Sequence, residues 1–345
     1  MTTIVQAFPR RHLLTGRVIL RGAAAIALTG AILGLLVPMV SGAPWASIAA
    51  VIRGIPAPTL IGLGLLWFVG LWLHTFVLTG ALPELTHRRA LALNLTGSAV
   101  ANAVPFGGAA GVATNLAMTR AWGISDQRFA AYTIVTNVWN VLAKLIPPAL
   151  IFAALLATGH LASSAMQSVT VVGVVAALLV VGATVGALVS EAVTFALVAL
   201  ARRLPFCSRV TDLEERMLSI RGVARTSIAA GWRQMSLGMS GYVILQAVLF
   251  IATLQAVGAQ TGIVVLLAGF AMDRLLSLAL ITPGGTGVSE AGAIAVMVAL
   301  GAAPLPTAAG VLLYRLFIFL LEIPVGGAVL AGWWMARRPT ARRAR

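Results

Sequence analysis

Apolar residues run in long blocks along this chain, separated by short basic or Gly/Pro-rich stretches. A helix that crosses a bilayer needs about 20 mostly apolar residues. Six blocks meet that length: 18–40, 59–82, 129–157, 168–200, 234–257 and 306–334. Pro147 and Pro148 fall inside the third, where they can kink it. Two further apolar stretches, 90–118 and 262–300, are broken by Pro and Gly and predict hairpins that return to their own side. Between 208 and 224, Val210, Leu213, Met217, Ile220 and Ala224 recur at helical spacing, with charged residues on the other faces. That pattern predicts an interfacial amphipathic elbow or a solvated connector helix. The predicted fold class is an all-α polytopic membrane protein with six spanning helices and two re-entrant hairpins.

Composition strengthens this picture. The 345 residues are 60% hydrophobic and only 10% charged, against about 25% charged in soluble domains. A soluble enzyme, a disulfide scaffold and a disordered chain are excluded. The net charge of +15 comes almost entirely from Arg, with Lys144 the one lysine. The Arg cluster at 10, 11, 17 and 21, at 202, 203 and 209, and at 337, 338, 342, 343 and 345. That is the positive-inside pattern with attraction to anionic lipid. No basic stretch interleaves with aromatics, so nucleic acid is not an expected partner. The lone Cys207 excludes an internal disulfide, and the four His are scattered, so neither metal nor cofactor is expected.

The charge rule sets an orientation. Both termini are cytoplasmic, in a multi-pass protein of the cell membrane. Segment 41–58 lies outside, 201–233 is a basic cytoplasmic loop, and 335–345 is a basic cytoplasmic tail. The basic, then apolar N-terminus reads as a retained first span.

The two broken stretches resemble each other. When Pro105 is set on Pro283, Gly107 meets Gly285, Gly123 meets Gly301, Asn137 meets Arg315 and Lys144 meets Glu322. One transmembrane domain, 1–345, thus divides into repeat one at about 18–157 (hairpin 90–118) and repeat two at about 168–334 (hairpin 262–300). Each repeat has three spans, so the second is inverted, an arrangement of transporters.

The hairpin tips are Pro105, Gly107 and Gly108, and Pro283, Gly284, Gly285 and Gly287. Glycines let the backbone turn and approach a ligand, and the helix that follows offers free N–H groups to phosphate or carboxylate. Isolated glycines such as Gly62 and Gly64 read as helix-packing residues. Ionisable residues deep in spans cost about 2.5–3.5 kcal/mol each on the lenient scale, so they mark function or internal ion pairs. They are Lys144, Asp273, Arg274, Glu290, Arg315 and Glu322. Arg315 and Glu322 lie two turns apart and would share a face. Arg315 is the best grip for an anionic headgroup. Glu290 would pair with Arg315 or Arg274, or take up a proton. Asp273 and Arg274 would each have a separate partner. His74 is expected to hydrogen-bond within the bundle. Asn94, Asn102, Asn115, Asn137 and Asn140 satisfy broken backbone or line a cavity, and sequence does not rank them. Trp333 and Trp334 read as an interfacial anchor.

The run Pro283-Gly-Gly-Thr-Gly-Val-Ser-Glu-Ala-Gly292, then Gly301 and Leu313-Tyr-Arg-Leu316, resembles the flippase-like transmembrane region of lysylphosphatidylglycerol synthases. Asn102 through Gly108, and Arg120 through Gly123, resemble the first-half motif of that family. The resemblance covers roughly residues 20–335. It implies movement of a lipid between leaflets and puts weight on Glu290 and Arg315. Two departures stand out: Gly108-Ala-Ala-Gly111 replaces a charged residue common after the first turn, and Asn137 replaces a common Arg. The first half would therefore bring less charge to a headgroup site. The soluble aminoacyl-transfer domain is not in this chain.

Three function classes follow. The first is a translocator, without enzyme activity, for an anionic or zwitterionic lipid: a phospholipid, an aminoacyl-phospholipid or a polyprenyl-phosphate. The second is a membrane-embedded enzyme such as a lipid phosphatase, with Thr286, Ser289 and Glu290 as its only nearby material. The third is a non-catalytic partner of an envelope glycosyltransferase. The partners expected are membrane lipid and either a second copy of the chain or an envelope-biosynthesis enzyme.

Overall fold

The fold was obtained as a computed structural model, which describes residues 30–103, 107–159, 164–190, 192, 213–278 and 285–337. Every regular element among these residues is a helix. The order is α1 (Gly30–Ser41), α2 (Trp45–Arg53), α3 (Ala57–Ala81), α4 (His87–Ala103), α5 (Gly107–Ala121), α6 (Asp126–Ala157), α7 (Ser164–Val189), α8 (Leu213–Ala256), α9 (Ile263–Leu276), α10 (Val288–Ala299) and α11 (Pro304–Arg315), then a π-helical turn (Leu316–Leu320) and α12 (Glu322–Ala336).

Four helical stretches are long and apolar enough to cross a membrane: Ala57–Ala81, Asp126–Ala157, Gly222–Ala256 and Pro304–Ala336. They coincide with four of the six predicted spans. Of 18–40, only the part from Gly30 is described, and α1 bends by 87° into α2, which could make a fifth span. Of 168–200, the described part belongs to α7. Segment 41–58 holds a helix: Gly42 turns at φ +62° and α2 packs on α11. The described part of the predicted elbow is no separate element either. Residues 213–224 continue without a break into the 44-residue α8, because nothing between them stops a helix.

Local signals explain the helix starts. Ser125 caps α6, its hydroxyl accepting the Arg128 N–H. Prolines near the first turns of α3 and α11 sit where the missing N–H costs nothing. α6 runs on across Pro147 and Pro148.

The core lies where α3, α8 and α11 meet, around Leu71, Val77, Met235, Phe250, Leu313 and Tyr314. Phe250 meets the Tyr314 ring edge-on at 5.1 Å. One close crossing is at Gly80 and Gly231, where a Cβ on Gly231 would collide with the Gly80 backbone. Glycine thus brings α3 and α8 into contact, as small residues do in membranes. The outward faces carry exposed Ile61, Leu65, Leu178 and Leu179, which lipid would cover.

The two Pro/Gly-broken stretches are antiparallel helical pairs. In α4/α5, Ala101 approaches Gly107, Gly97 approaches Gly111 and Thr96 contacts Met118. In α9/α10, Leu276 approaches Gly285 and Gly292, and Gly269 approaches Met297. Each pair leans on the other half of the chain: α4 on α12, α9 on α6. Each ends in the same turn. Gly123 (φ +81°) and Gly301 (φ +92°) are left-handed, and Ile124 N–H and Ala302 N–H reach back to Thr119 and Met297 carbonyls at 3.0 and 2.9 Å. Both are glycine-terminated helix ends of Schellman type.

Candidate functional site

Glu290 occupies the first turn of α10, directly after the second hairpin tip. Its carboxylate is fully buried and takes three donors: Arg315 Nε at 2.6 Å, Gly287 N–H at 2.6 Å and Ser289 Oγ at 3.0 Å. Arg315 also reaches Thr286 Oγ1 at 3.5 Å and lies over the Phe319 ring at 5.5 Å. Of the two partners left open by the sequence, Glu290 takes Arg315. The helix N-terminus, read as an anion site, is thereby capped by the protein's own carboxylate.

The tip itself explains its glycines. Gly285 (φ +70°) and Gly287 (φ +89°) hold a conformation that L side chains avoid. A Cβ at Gly287 would also stand 2.6 Å from the Ile32 side chain. Pro283 and Gly284, like Pro105, lie outside the described residues. Gly107 closes the first hairpin against Ala101, whereas Gly108 faces open space.

Asp273 and Arg274 are buried below this tip. Asp273 Oδ1, Arg274 Nε and Arg274 Nη2 make no hydrogen bond, and Asp273 interacts electrostatically with Arg315, Arg274 and Lys144. Arg274 lies over the Phe270 ring instead, at 5.1 Å. Lys144 is half-buried on α6, close enough to feel Arg274, Asp273 and Arg315 electrostatically. These five residues form one layer of three cations and two anions.

Glu322 stands apart, although it was expected on the Arg315 face. The π turn between them explains this. Leu321 N–H bonds the Leu316 carbonyl five residues back at 2.8 Å, which adds one residue, about 100° of rotation. Glu322 therefore meets the first hairpin, where Asn102 Nδ2 donates to its Oε2 at 3.4 Å and to the Phe319 carbonyl at 3.2 Å.

Between α3, α4, α5 and α6 lies a cavity of about 310 Å³. Asn94, Asn102, Asn115, Asn137 and Asn140 all line it, with Ser98, Tyr132, Thr133 and Thr136. Sequence reasoning left these asparagines unranked. The signal was present as polar stripes on apolar helices: Asn94–Ser98–Asn102 on α4, and Thr133–Asn137–Asn140–Lys144 on α6. His74 forms part of the wall, where the Asn94 and Asn140 side chains stand against its ring within the bundle, although neither contact is a well-aligned hydrogen bond. It packs on Tyr242 with ring centroids 4.6 Å apart. Asn94 Nδ2 is likewise buried without a partner. Gly108, Val112 and Asn137 are exposed at the cavity's edge, on facing sides of α5 and α6.

At the chain's end, Arg337 lies over Trp333 at 4.8 Å, in keeping with an interfacial anchor. Among the described residues no cluster of His, Cys, Asp and Glu could hold a metal ion.

No curated protein matches this chain. The family model of the lysylphosphatidylglycerol synthase TM region matches residues 21–326, which takes in both hairpins, the charged layer and the amide-lined cavity, and the chain belongs to that family.

Proposed function

We propose that this protein is a translocator that moves a lipid headgroup between leaflets while its hydrocarbon chains stay in the bilayer. The observation that carries the reading is the polar cavity of about 310 Å³ among apolar helices, one turn along α6 from the buried charges. Polar groups in spans are costly, and they are retained where they serve a pathway. Family membership supports a lipid-related role.

In this reading the chain has six spans and two re-entrant hairpins, arranged as an inverted repeat with both termini in the cytoplasm of a cell-membrane protein. The matching glycine turns at Gly123 and Gly301, and the exchange of α4 onto α12 and α9 onto α6, support the repeat. The two halves then do different work. Asn137 stands where repeat two has Arg315, so the first half supplies amides and the second supplies charge. The headgroup enters sideways between α5 and α6, past Gly108 and Asn137. Its phosphate lies toward Lys144 and Arg274, which share the single carboxylate of Asp273, whereas Arg315 is held directly by Glu290. We take the protein to be a translocator and not an enzyme, since the Glu290 carboxylate beside Ser289 is already held by Arg315 and the Gly287 N–H and is a poor base. The lipid is anionic or zwitterionic, and a second copy or an envelope enzyme is the expected protein partner.

The test is transbilayer movement of fluorescent phosphatidylglycerol and polyprenyl-phosphate analogues in proteoliposomes, with wild type beside Arg315→Ala and Glu290→Gln. Movement that the substitutions slow by tenfold or more supports the reading. Equal movement in protein-free vesicles overturns it. Orientation is tested separately: an impermeant thiol reagent should reach Cys207 only in inverted vesicles.

A further inference from the structure

The cavity wall is chemically uniform in a way that restricts its ligand. Among the described residues lining it there is no Asp, Glu, Lys or Arg. Its polar groups are amides, hydroxyls and the His74 imidazole, each able both to donate and to accept. Asn94 Nδ2 and both ring nitrogens of His74, itself only 6% exposed, are buried with no well-aligned hydrogen bond, the Asn94 and Asn140 amides standing against the ring. A buried polar atom without a partner is costly, and a ligand that pairs it recovers that cost. The nearest carboxylate, Glu322, does not line the cavity and is already engaged by Asn102, and a bare phosphate would leave the wall's acceptors unused. A hydroxyl group is both donor and acceptor and matches every such position. The volume, about 310 Å³, sits at the lower end of the range for ligand pockets.

We infer that the amide-lined cavity binds an uncharged polyhydroxylated headgroup, a glycerol or a single sugar, carried on a lipid phosphate. This rests on the translocation reading and names its substrate class. The hydroxyls pair with Asn94, Asn140 and His74 at the inner wall, and Asn137 stands at the mouth. A site built to hydrogen-bond hydroxyls discriminates strongly against ligands that lack them.

The test is direct binding to the full chain in detergent, separate from movement. The probes are dihexanoyl phosphatidylglycerol and a short prenyl phosphohexose, against dihexanoyl phosphatidic acid and dihexanoyl phosphatidylethanolamine, which carry no headgroup hydroxyls of this kind. The expected result is at least tenfold tighter binding of one hydroxylated probe, with the preference between the two identifying glycerol or sugar. Asn140→Ala should remove most of that preference. If Asn140→Ala does not fold, Asn137→Ala and Thr133→Val at the mouth serve in its place, each lowering the preference severalfold. Equal binding across the four probes, no binding of either hydroxylated probe, or a preference that all folded variants retain would overturn the inference. Movement of lipid without a binding preference removes this inference and leaves translocation standing. Preference without movement does the reverse.

Discussion

Arg315 Nε and Glu290 Oε1 lie 2.6 Å apart, and this ion pair ties the last long span to the first turn after the second hairpin tip. Both side chains are almost wholly withdrawn from solvent, at 10% and 0% exposure. Removing one partner of such a pair strands a buried charge, which costs about 3–5 kcal/mol. Arg315→Ala should therefore lower the unfolding temperature in detergent markedly. Adding Glu290→Gln should restore part of the loss, because the stranded carboxylate is gone. Thermal unfolding of both singles and the double checks this. Losses that simply add would mean the pair is not coupled.

The helix crossing at Gly80 and Gly231 predicts a steric effect. Gly231→Val must push α8 away from α3, and its folded yield should fall severely. Gly327→Ala is the control, since a Cβ there meets nothing within 4 Å. Size-exclusion profiles of the two purified variants make the comparison.

Asn102 predicts a smaller effect. Its amide bridges the Phe319 carbonyl at the π turn and the Glu322 carboxylate. Asn102→Ala leaves both acceptors without it, at about 1–3 kcal/mol. The loss should appear in urea unfolding of the reconstituted or detergent-solubilised chain, with Asn115→Ala costing less.

At the second tip, Gly287→Ala combines a left-handed φ, worth about 1–2 kcal/mol, with a collision at Ile32. Gly108→Ala at the first tip meets open space and should be neutral for folding. Parallel thermal unfolding distinguishes the two.

Much of this was legible in the sequence, and the reasons are physical. Hydropathy marks a span because lipid demands it, so 59–82, 129–157, 234–257 and 306–334 all emerge as long apolar helices. Glycines mark the second break because Gly285 and Gly287 hold a positive φ that L side chains avoid. Burial of Glu290 and Arg315 was readable because charges in apolar blocks are rare. Their pairing was not, since Arg274 was an equal candidate until α9, α10 and α11 were placed together. The π turn at Leu316–Leu320 left no compositional mark, so the separation of Glu322 from Arg315 could not be foreseen. The cavity stood only as one of two alternatives for these asparagines: the polar stripes mark α4 and α6 singly, but the residues come from three helices, and which stripes face each other depends on packing.

The central claim is lipid translocation, and its most direct measurement is the rate at which a fluorescent phosphatidylglycerol analogue changes leaflets in vesicles reconstituted with the full chain. The account predicts movement well above that of protein-free vesicles, and a loss of it in Arg315→Ala that folds correctly. Folded wild-type protein that moves neither this analogue nor a polyprenyl-phosphate analogue would contradict it.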